Sequence, residues 1–237
     1  MSDICLPLGL TENDIHKLEE IVKTTSVKHV GDTVVLQGDS FDKVYAVKSG
    51  MCKSFRVDEA GTEYVQSFHL PGELFGLDAI YAKHYGFSVE ALDTSVLCEM
   101  DYNELQQLCS TVPALQNQLF NLLSRDLYTS HVSPIEHFDQ TAEQKLAGFL
   151  HNLQTRFEVR GYSGSELYLS MSRRDIANHL GLAPETISRL LKRFQENQVI
   201  SIDNRLVVIN DPGKLDELVH CHALENSGRS VQISKVS

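Results

Sequence analysis

Three side chains at helical spacing, Glu185, Ser188 and Arg189, carry chemistry that suits hydrogen bonding to the edges of DNA bases. An arginine can donate two hydrogen bonds to guanine O6 and N7, a glutamate can accept one from cytosine N4, and a serine can contact either. Positions i, i+3 and i+4 lie on one face of a helix. We therefore expect these three residues to form a single base-reading stripe.

Basic and hydroxyl side chains flank this stripe. Phosphate oxygens accept hydrogen bonds from such side chains, and these contacts position a protein on the duplex without reading its sequence. The residues that we assign to backbone contacts are Ser172, Arg173, Arg174, Thr186, Lys192 and Arg193.

The segment 170–194 predicts two short helices around a tight turn. Ser172 and Asp175 have the spacing of a capping box, and Gly181 can take the positive φ that ends a helix. Pro184 suits the first turn of a second helix, because a missing N–H costs little there. The pattern is typical of a helix-turn-helix whose second helix enters a DNA major groove. An ordinary helix corner with a solvated polar face is the alternative.

The net charge of −11 is unevenly distributed along the chain. Residues 1–138 carry 9 Lys and Arg against 20 Asp and Glu, whereas residues 139–237 carry 12 of each. The second part can therefore approach a polyanion without bulk repulsion. Because a neutral domain has modest non-specific affinity, we expect base reading and dimerisation to supply much of the binding.

Short strand patterns separated by glycine turns fill the first part of the chain. They predict an antiparallel β-roll with an interior able to hold a ligand. A helix over 11–23 precedes them. The predicted strands are 33–37, 43–49, 51–57, 63–70, 87–92 and 95–100.

A leucine-rich helix is predicted to start near Pro113, and Pro134 is expected to kink or end it. We expect its apolar seam to pair with a second copy of the chain. Packing of the seam back on the roll is the alternative. The seam residues are Leu115, Leu119, Leu122, Leu123 and Leu127.

The fold class expected is α+β, with an N-terminal double-stranded β-roll (jelly roll), a long dimerisation helix and a C-terminal winged helix-turn-helix. A helix over 141–157 and a hairpin over 199–209, the wing, complete the last domain. The segments that we expect are 1–25 (N-terminal segment and short helix), 26–105 (roll), 106–138 (dimerisation helix and hinge), 139–212 (DNA-binding domain) and 213–237 (tail).

This order of elements resembles the cyclic-AMP receptor protein/FNR superfamily of bacterial transcription regulators. The segments FHLPGELFGLDAI (68–80) and ETISRLLKRFQ (185–195) are most similar to the FNR branch. In that branch, residues spaced as Glu185, Ser188 and Arg189 read an inverted repeat of TTGAT half-sites. The resemblance implies a homodimer that binds palindromic double-stranded DNA and acts on RNA polymerase.

The resemblance says less about the signal to which the protein responds. Cyclic-nucleotide members use a glutamate for the ribose and an Arg-Ser pair for the phosphate, where this chain has Leu77 and Phe87-Ser88. A phosphate buried there without a cation would be poorly solvated, so cyclic AMP is not expected as the ligand.

The FNR branch also implies an iron–sulfur cluster held by four cysteines. Only Cys5 and Cys98 match that ligand set. Three explanations for the incomplete cysteine set remain open. Either the start of translation was assigned too late, or Cys5 and Cys98 form a thiol switch, or the sensor has decayed. We interpret Cys52 and Cys109 as small buried hydrophobes, and His220-Cys221-His222 as a surface cluster.

Two other functions compete with DNA binding. A metal-dependent jelly-roll enzyme would need a cluster of histidines, and this roll offers only isolated ones, so we do not expect an enzyme. A sensor module that acts through protein contacts, with a degenerate DNA domain, is the other rival. The chain shows no signal peptide or membrane span, and we expect a cytoplasmic protein.

Overall fold

The computed structural model describes residues 10–25, 27–137 and 140–220, with the backbone alone for 129–137. The helices are α1 Glu12–Ile21, α2 Ala79–Ala82, α3 Tyr102–Thr111, α4 Pro113–His137, α5 Ala142–Glu158, α6 Arg173–Leu180, α7 Pro184–Glu196 and α8 Pro212–His220. The strands are β1 Val22–Thr24, β2 Thr33–Val35, β3 Lys43–Ser49, β4 Cys52–Val57, β5 Glu63–His69, β6 Leu74–Phe75, β7 Ser88–Ala91, β8 Val96–Asp101, β9 Glu166–Tyr168, β10 Ile200–Asp203 and β11 Leu206–Ile209.

Two antiparallel four-stranded sheets form the roll, in the orders β1-β8-β3-β6 and β2-β7-β4-β5. All six strands predicted from the sequence are present, within two residues at each end. Strands β1 and β6 were missed, and the predicted helix 11–23 ends at Ile21 instead. Val22 pairs with Met100 on β8, so a long-range ladder takes the last two residues of the predicted helix.

Two apolar clusters stabilise the roll. One fills the space between the sheets and includes Tyr45 and Phe75, whose rings stack with centroids 5.2 Å apart. The other lies where helices α1, α3 and α4 cover one sheet, and it includes Leu18, Met100 and Leu115. We call the second group the outer cluster.

Helix α4 continues through Pro134 and ends at His137. Of the two expected outcomes, a kink or an end at Pro134, the end is therefore wrong. Proline removes only one bond of the helical ladder, and Pro134 lies near the C-terminal end of a 25-residue helix whose other bonds remain available.

The wing hairpin forms as predicted, with Asn204 in the left-handed region at φ 55° in its turn. Strand β9, which was not predicted, adds a third strand in the order β10-β11-β9. Residues 213–237 were expected to form a tail, but residues up to His220 belong to helix α8. This helix packs on α5 and buries Leu215.

The described chain forms two compact units. Residues up to Glu136 and Leu169–Pro184 belong to the first, and His137–Tyr168 and residues from Glu185 onward belong to the second. Helix α6 therefore packs with the roll, whereas the expected boundaries placed it with the rest of the DNA-binding domain over 139–212. Side chains of α6 that contact β4 and β5 explain the difference.

Among the described residues, no helix combines the length and the apolar character that crossing a bilayer requires.

Gly50 provides a test of the turn between β3 and β4. Its φ is +82°, and an added Cβ would lie 2.6 Å from the carbonyl oxygen of Thr94 and would overlap Ser95. Gly61 has φ +79° in open space. We expect Gly61→Ala to lower the free energy of unfolding by about 1 kcal/mol, from backbone strain alone. Overpacking should bring the loss for Gly50→Ala to about 2–4 kcal/mol.

Urea unfolding at constant pH measures both losses. Equal losses for the two variants would show that the contact with Thr94 and Ser95 does not constrain Gly50.

Candidate nucleic-acid interface

Helix α7 presents the predicted base-reading stripe on its solvent side. Glu185 and Arg189 are exposed and Ser188 is half-buried. The helix begins at Pro184, as expected for a first-turn proline. The stripe faces water because every third or fourth residue is apolar and buried, namely Ile187, Leu190, Leu191 and Phe194.

Arg189 and Thr186 lie one turn apart on this face. The Arg189 Nη2 donates to the Thr186 hydroxyl at 3.4 Å, a long hydrogen bond. Thr186 was assigned to the DNA backbone, and here it also helps to orient the arginine. A weak internal partner of this kind is easily exchanged for guanine O6 and N7.

The two basic residues at the end of α7 differ in their surroundings. Lys192 extends into solvent, with its Nζ 3.6 Å from Glu196 one turn further on. Arg193 forms an ion pair with Glu143 on α5. Both were assigned to phosphates, and the structure makes Lys192 the more available of the two. Arg193 instead ties α7 to α5 within the second unit.

The start of α6 carries the other predicted backbone contacts. Ser172 accepts a hydrogen bond from the Asp175 amide at 3.1 Å, and the Asp175 carboxylate accepts one from the Ser172 amide at 2.9 Å. This is the predicted capping box, and Gly181 ends the helix at φ 65°. Ser172, Arg173 and Arg174 are exposed at this N-terminus, where backbone N–H groups and the helix dipole favour an anion.

Asp175 is ionised more readily than an ordinary aspartate. Burial by itself raises the pKa of its carboxyl, but hydrogen bonds from Ser172 and Lys53 together bring the pKa below its usual value. Lys53 was not identified from the sequence, because a lysine on a strand is normally a solvated side chain.

The leucines of α4 face two directions. Leu115 is buried in the outer cluster, and Leu119 and Leu122 pack against it. For Leu115 the predicted role in a dimer seam is therefore wrong, since the roll of its own chain covers it. Leu123 and Leu127 are 37% and 60% exposed, and Phe120, which was missed, is 60% exposed on the same face. We call Phe120, Leu123 and Leu127 the exposed stripe of α4.

The described cysteines are separated between the two clusters. Cys52 lies between the sheets, where burial raises the pKa of its thiol to about 12 despite a hydrogen bond with Ser95. Cys98 is buried in the outer cluster, and the half-buried Cys109 packs against that cluster with its thiol pKa raised by burial. Cys5 and the His220-Cys221-His222 group, apart from His220, lie outside the described residues.

The residues expected to exclude a cyclic nucleotide occupy different surroundings. Leu77 is buried in the outer cluster. Phe87 and Ser88 line a surface cavity of about 530 Å³, and Arg56 from β4 lines it too, with its guanidinium carbon 5.9 Å from the centre of the Phe87 ring. The premise that no cation lies beside Phe87-Ser88 is therefore wrong. Strand β4, which is distant from Phe87 in the sequence, supplies that cation through Arg56.

Two parts of the chain match known domain families. Residues 29–112 match the cyclic nucleotide-binding domain, and residues 144–218 match the Crp-like helix-turn-helix domain. The second match includes both α6 and α7.

Several curated proteins resemble nearly the whole chain. The chain is 40% identical to the transcriptional activator protein Anr of Pseudomonas protegens, over 91% of this chain and 88% of that protein. It is 38% identical to the anaerobic regulatory protein of Haemophilus influenzae, over 92% and 85%. It is 37% identical to the fumarate and nitrate reduction regulatory protein of Vibrio cholerae, over 92% and 87%.

Solved structures share the fold. The structure of FixK2 from Bradyrhizobium japonicum matches with a TM-score of 0.75 and 22% identity, over 84% of this chain and 97% of that one. A CooA mutant from Carboxydothermus hydrogenoformans matches with a TM-score of 0.67 and 18% identity, over 85% and 89%.

Proposed function

The chain belongs to the Crp/FNR family of DNA-binding transcription regulators, and we propose that it reads an inverted repeat of TTGAT type as a homodimer, through Glu185, Ser188 and Arg189. It is a regulator and not an enzyme. The observation that carries the proposal is the stripe on α7, where the side chains suited to base edges lie together on the solvent side.

Phosphate contacts complete the proposed interface. Exposed donors are available at the start of α6, from Ser172, Arg173 and Arg174, and Lys192 adds one on α7 itself, beside the half-buried Thr186. Arg193 contributes less, because Glu143 already holds its guanidinium. Bound to DNA in this way, the protein would act on RNA polymerase, as the resemblance to the FNR branch implies.

Arg189→Ala tests the reading of the guanine. On a TTGAT–ATCAA duplex we expect it to weaken binding by roughly 1–3 kcal/mol, because a bidentate pair to guanine is lost. On duplexes in which that guanine is replaced, the variant and the parent protein should bind almost equally. Fluorescence anisotropy with labelled duplexes measures both.

Lys192→Ala is the matched control on the same helix. Binding should weaken to the same extent on every sequence, because a phosphate contact is lost. The slope of log affinity against log salt concentration should decrease in magnitude by about one. An Arg189→Ala variant that behaves like Lys192→Ala would contradict base reading by Arg189.

The exposed stripe of α4 supports the dimer. Phe120, Leu123 and Leu127 lie at positions i, i+3 and i+7, which form one side of a helix. Beside them, Leu115, Leu119 and Leu122 are already used by the roll. We therefore propose that the exposed stripe, and not the whole leucine series, forms the contact between two copies.

Leu123→Asp tests this contact, with Asn121→Asp on the opposite side of α4 as its control. An aspartate in an apolar seam would be buried without a partner, so we expect Leu123→Asp to give a monomer with weakened binding to the palindrome. Asn121→Asp should remain dimeric. Analytical ultracentrifugation gives the oligomeric state, and a dimeric Leu123→Asp protein would place the interface elsewhere.

The described residues do not by themselves supply a four-cysteine iron–sulfur cluster, and Cys5 lies outside them. Cys52 lies between the sheets, on the far side of a strand layer from Cys98, and no group of three or more His, Cys, Asp or Glu side chains in the described ranges is arranged to hold a metal. Four thiolates around one site are needed for such a cluster. We propose that the signal, redox or otherwise, acts without one.

Anaerobic purification tests this part of the proposal. We expect a colourless, iron-free protein that still prefers the TTGAT palindrome over a scrambled duplex. Visible absorbance together with stoichiometric iron and acid-labile sulfide would show that the chain holds a cluster.

A further inference from the structure

Strand β5 is an edge strand of the sheet β2-β7-β4-β5, and Asn178 of α6 forms hydrogen bonds with two of its backbone groups. The Asn178 Oδ1 accepts a hydrogen bond from the Val65 amide at 2.7 Å, and the Asn178 Nδ2 donates to the Glu63 carbonyl oxygen at 2.7 Å. One side-chain amide thus makes the two hydrogen bonds that a neighbouring strand would make. Without α6, these two groups would have only water as a partner, and the edge would be open to association with another strand.

A buried cation supplies the second contact. Lys53 on β4 has a side chain that is only 8% exposed, and its Nζ lies 2.7 Å from Glu63 and 3.0 Å from Asp175. Glu90 on β7 lies 3.9 Å away. Burial by itself lowers the pKa of Lys53, but the hydrogen bonds to Glu63 and Asp175 bring it above its usual value. The charge is therefore retained and is compensated partly by α6.

Two further contacts extend this surface along α6. The His179 ring meets the Phe68 ring edge-on, with centroids 5.2 Å apart. At the other end, the Ser170 hydroxyl donates to Asp93, in the turn between β7 and β8, at 3.1 Å. The contacts therefore extend over the helix and the three residues that lead into it, so α6 cannot rotate about any single contact.

Glu185 and Arg189 of the reading stripe are exposed, and they do not take part in the docking of α6. The effect of this docking is to fix the direction of α6, and α7 follows α6 after only residues 181–183. A dimer that reads two half-sites needs its reading helices at a defined separation, about 34 Å for one turn of DNA. A reader held by a free hinge would accept several separations.

We propose that Lys53 and Asn178 are positioning residues, which dock α6 on strands β4 and β5 and thereby set the half-site spacing that the dimer accepts. This inference rests on the proposed function, since it concerns the same palindrome. It assigns to the roll the task of holding the first helix of the helix-turn-helix.

The test compares Lys53→Met and Asn178→Ala with Lys43→Met. Lys43 also forms a strand-to-strand ion pair, with Glu99 at 3.2 Å, and that pair joins β3 and β8 without involving α6. Each full-length protein is titrated with TTGAT–ATCAA duplexes whose spacer is shortened or lengthened in single base-pair steps. Urea unfolding shows that each variant is folded.

We expect the parent protein and Lys43→Met to bind one spacer selectively. In Lys53→Met and Asn178→Ala, affinity for that spacer should fall about five- to tenfold, and the preference for it over the neighbouring spacers should fall by a similar factor. Lys53→Arg should retain the preference, because it keeps the charge. Asn178→Ala leaves the Lys53 ion pairs intact, so it tests docking even if Lys53→Met is too unstable to assay.

Hydrogen exchange of the Val65 amide gives an independent readout. Its rate should rise in Lys53→Met, although Asn178 is still present there, and should be unchanged in Lys43→Met. Variants that weaken binding to all spacers equally, with unchanged Val65 exchange in Lys53→Met, would overturn the positioning role. A parent protein with no preference for the TTGAT palindrome would refute the proposed function itself.

Discussion

The carboxylate of Asp175 is shared between two partners, and much of the arrangement depends on that sharing. It closes the capping box of α6 with Ser172, and it compensates the charge of Lys53. A helix start has unsatisfied N–H groups, and a buried ammonium requires an anion nearby. One side chain meets both requirements, so the helix is formed and docked by the same group.

The edge of the roll imposes a related constraint. Strand β5 ends its sheet, and unpaired edges are sites of unwanted association. Asn178 satisfies two of its backbone groups. The sensor-like part of the chain and the first helix of the DNA reader therefore stabilise each other, which explains why α6 packs with the roll although its sequence matches a helix-turn-helix domain.

The apolar surface of α4 is also divided between two roles. Leu115, Leu119 and Leu122 complete the outer cluster, and Phe120, Leu123 and Leu127 remain exposed. Two neighbouring sides of one helix thus serve two separate interfaces. The exposed side is the surface that the proposed dimer would bury.

The sequence by itself determined the features that depend on neighbouring residues. The capping box at Ser172, the turn at Gly181 and the stripe on α7 follow from spacings of three and four residues, and the structure has them where the spacing predicts. Six strands of the roll were also predicted, because alternation and glycine turns are local signals.

The tertiary structure decided what depends on distant pairing. Lys53 and Asp175 are 122 residues apart, Arg56 reaches the cavity beside Phe87 from another strand, and Leu115 faces its own roll. A side chain's partner across a sheet depends on strand order and register, which no short stretch of sequence contains.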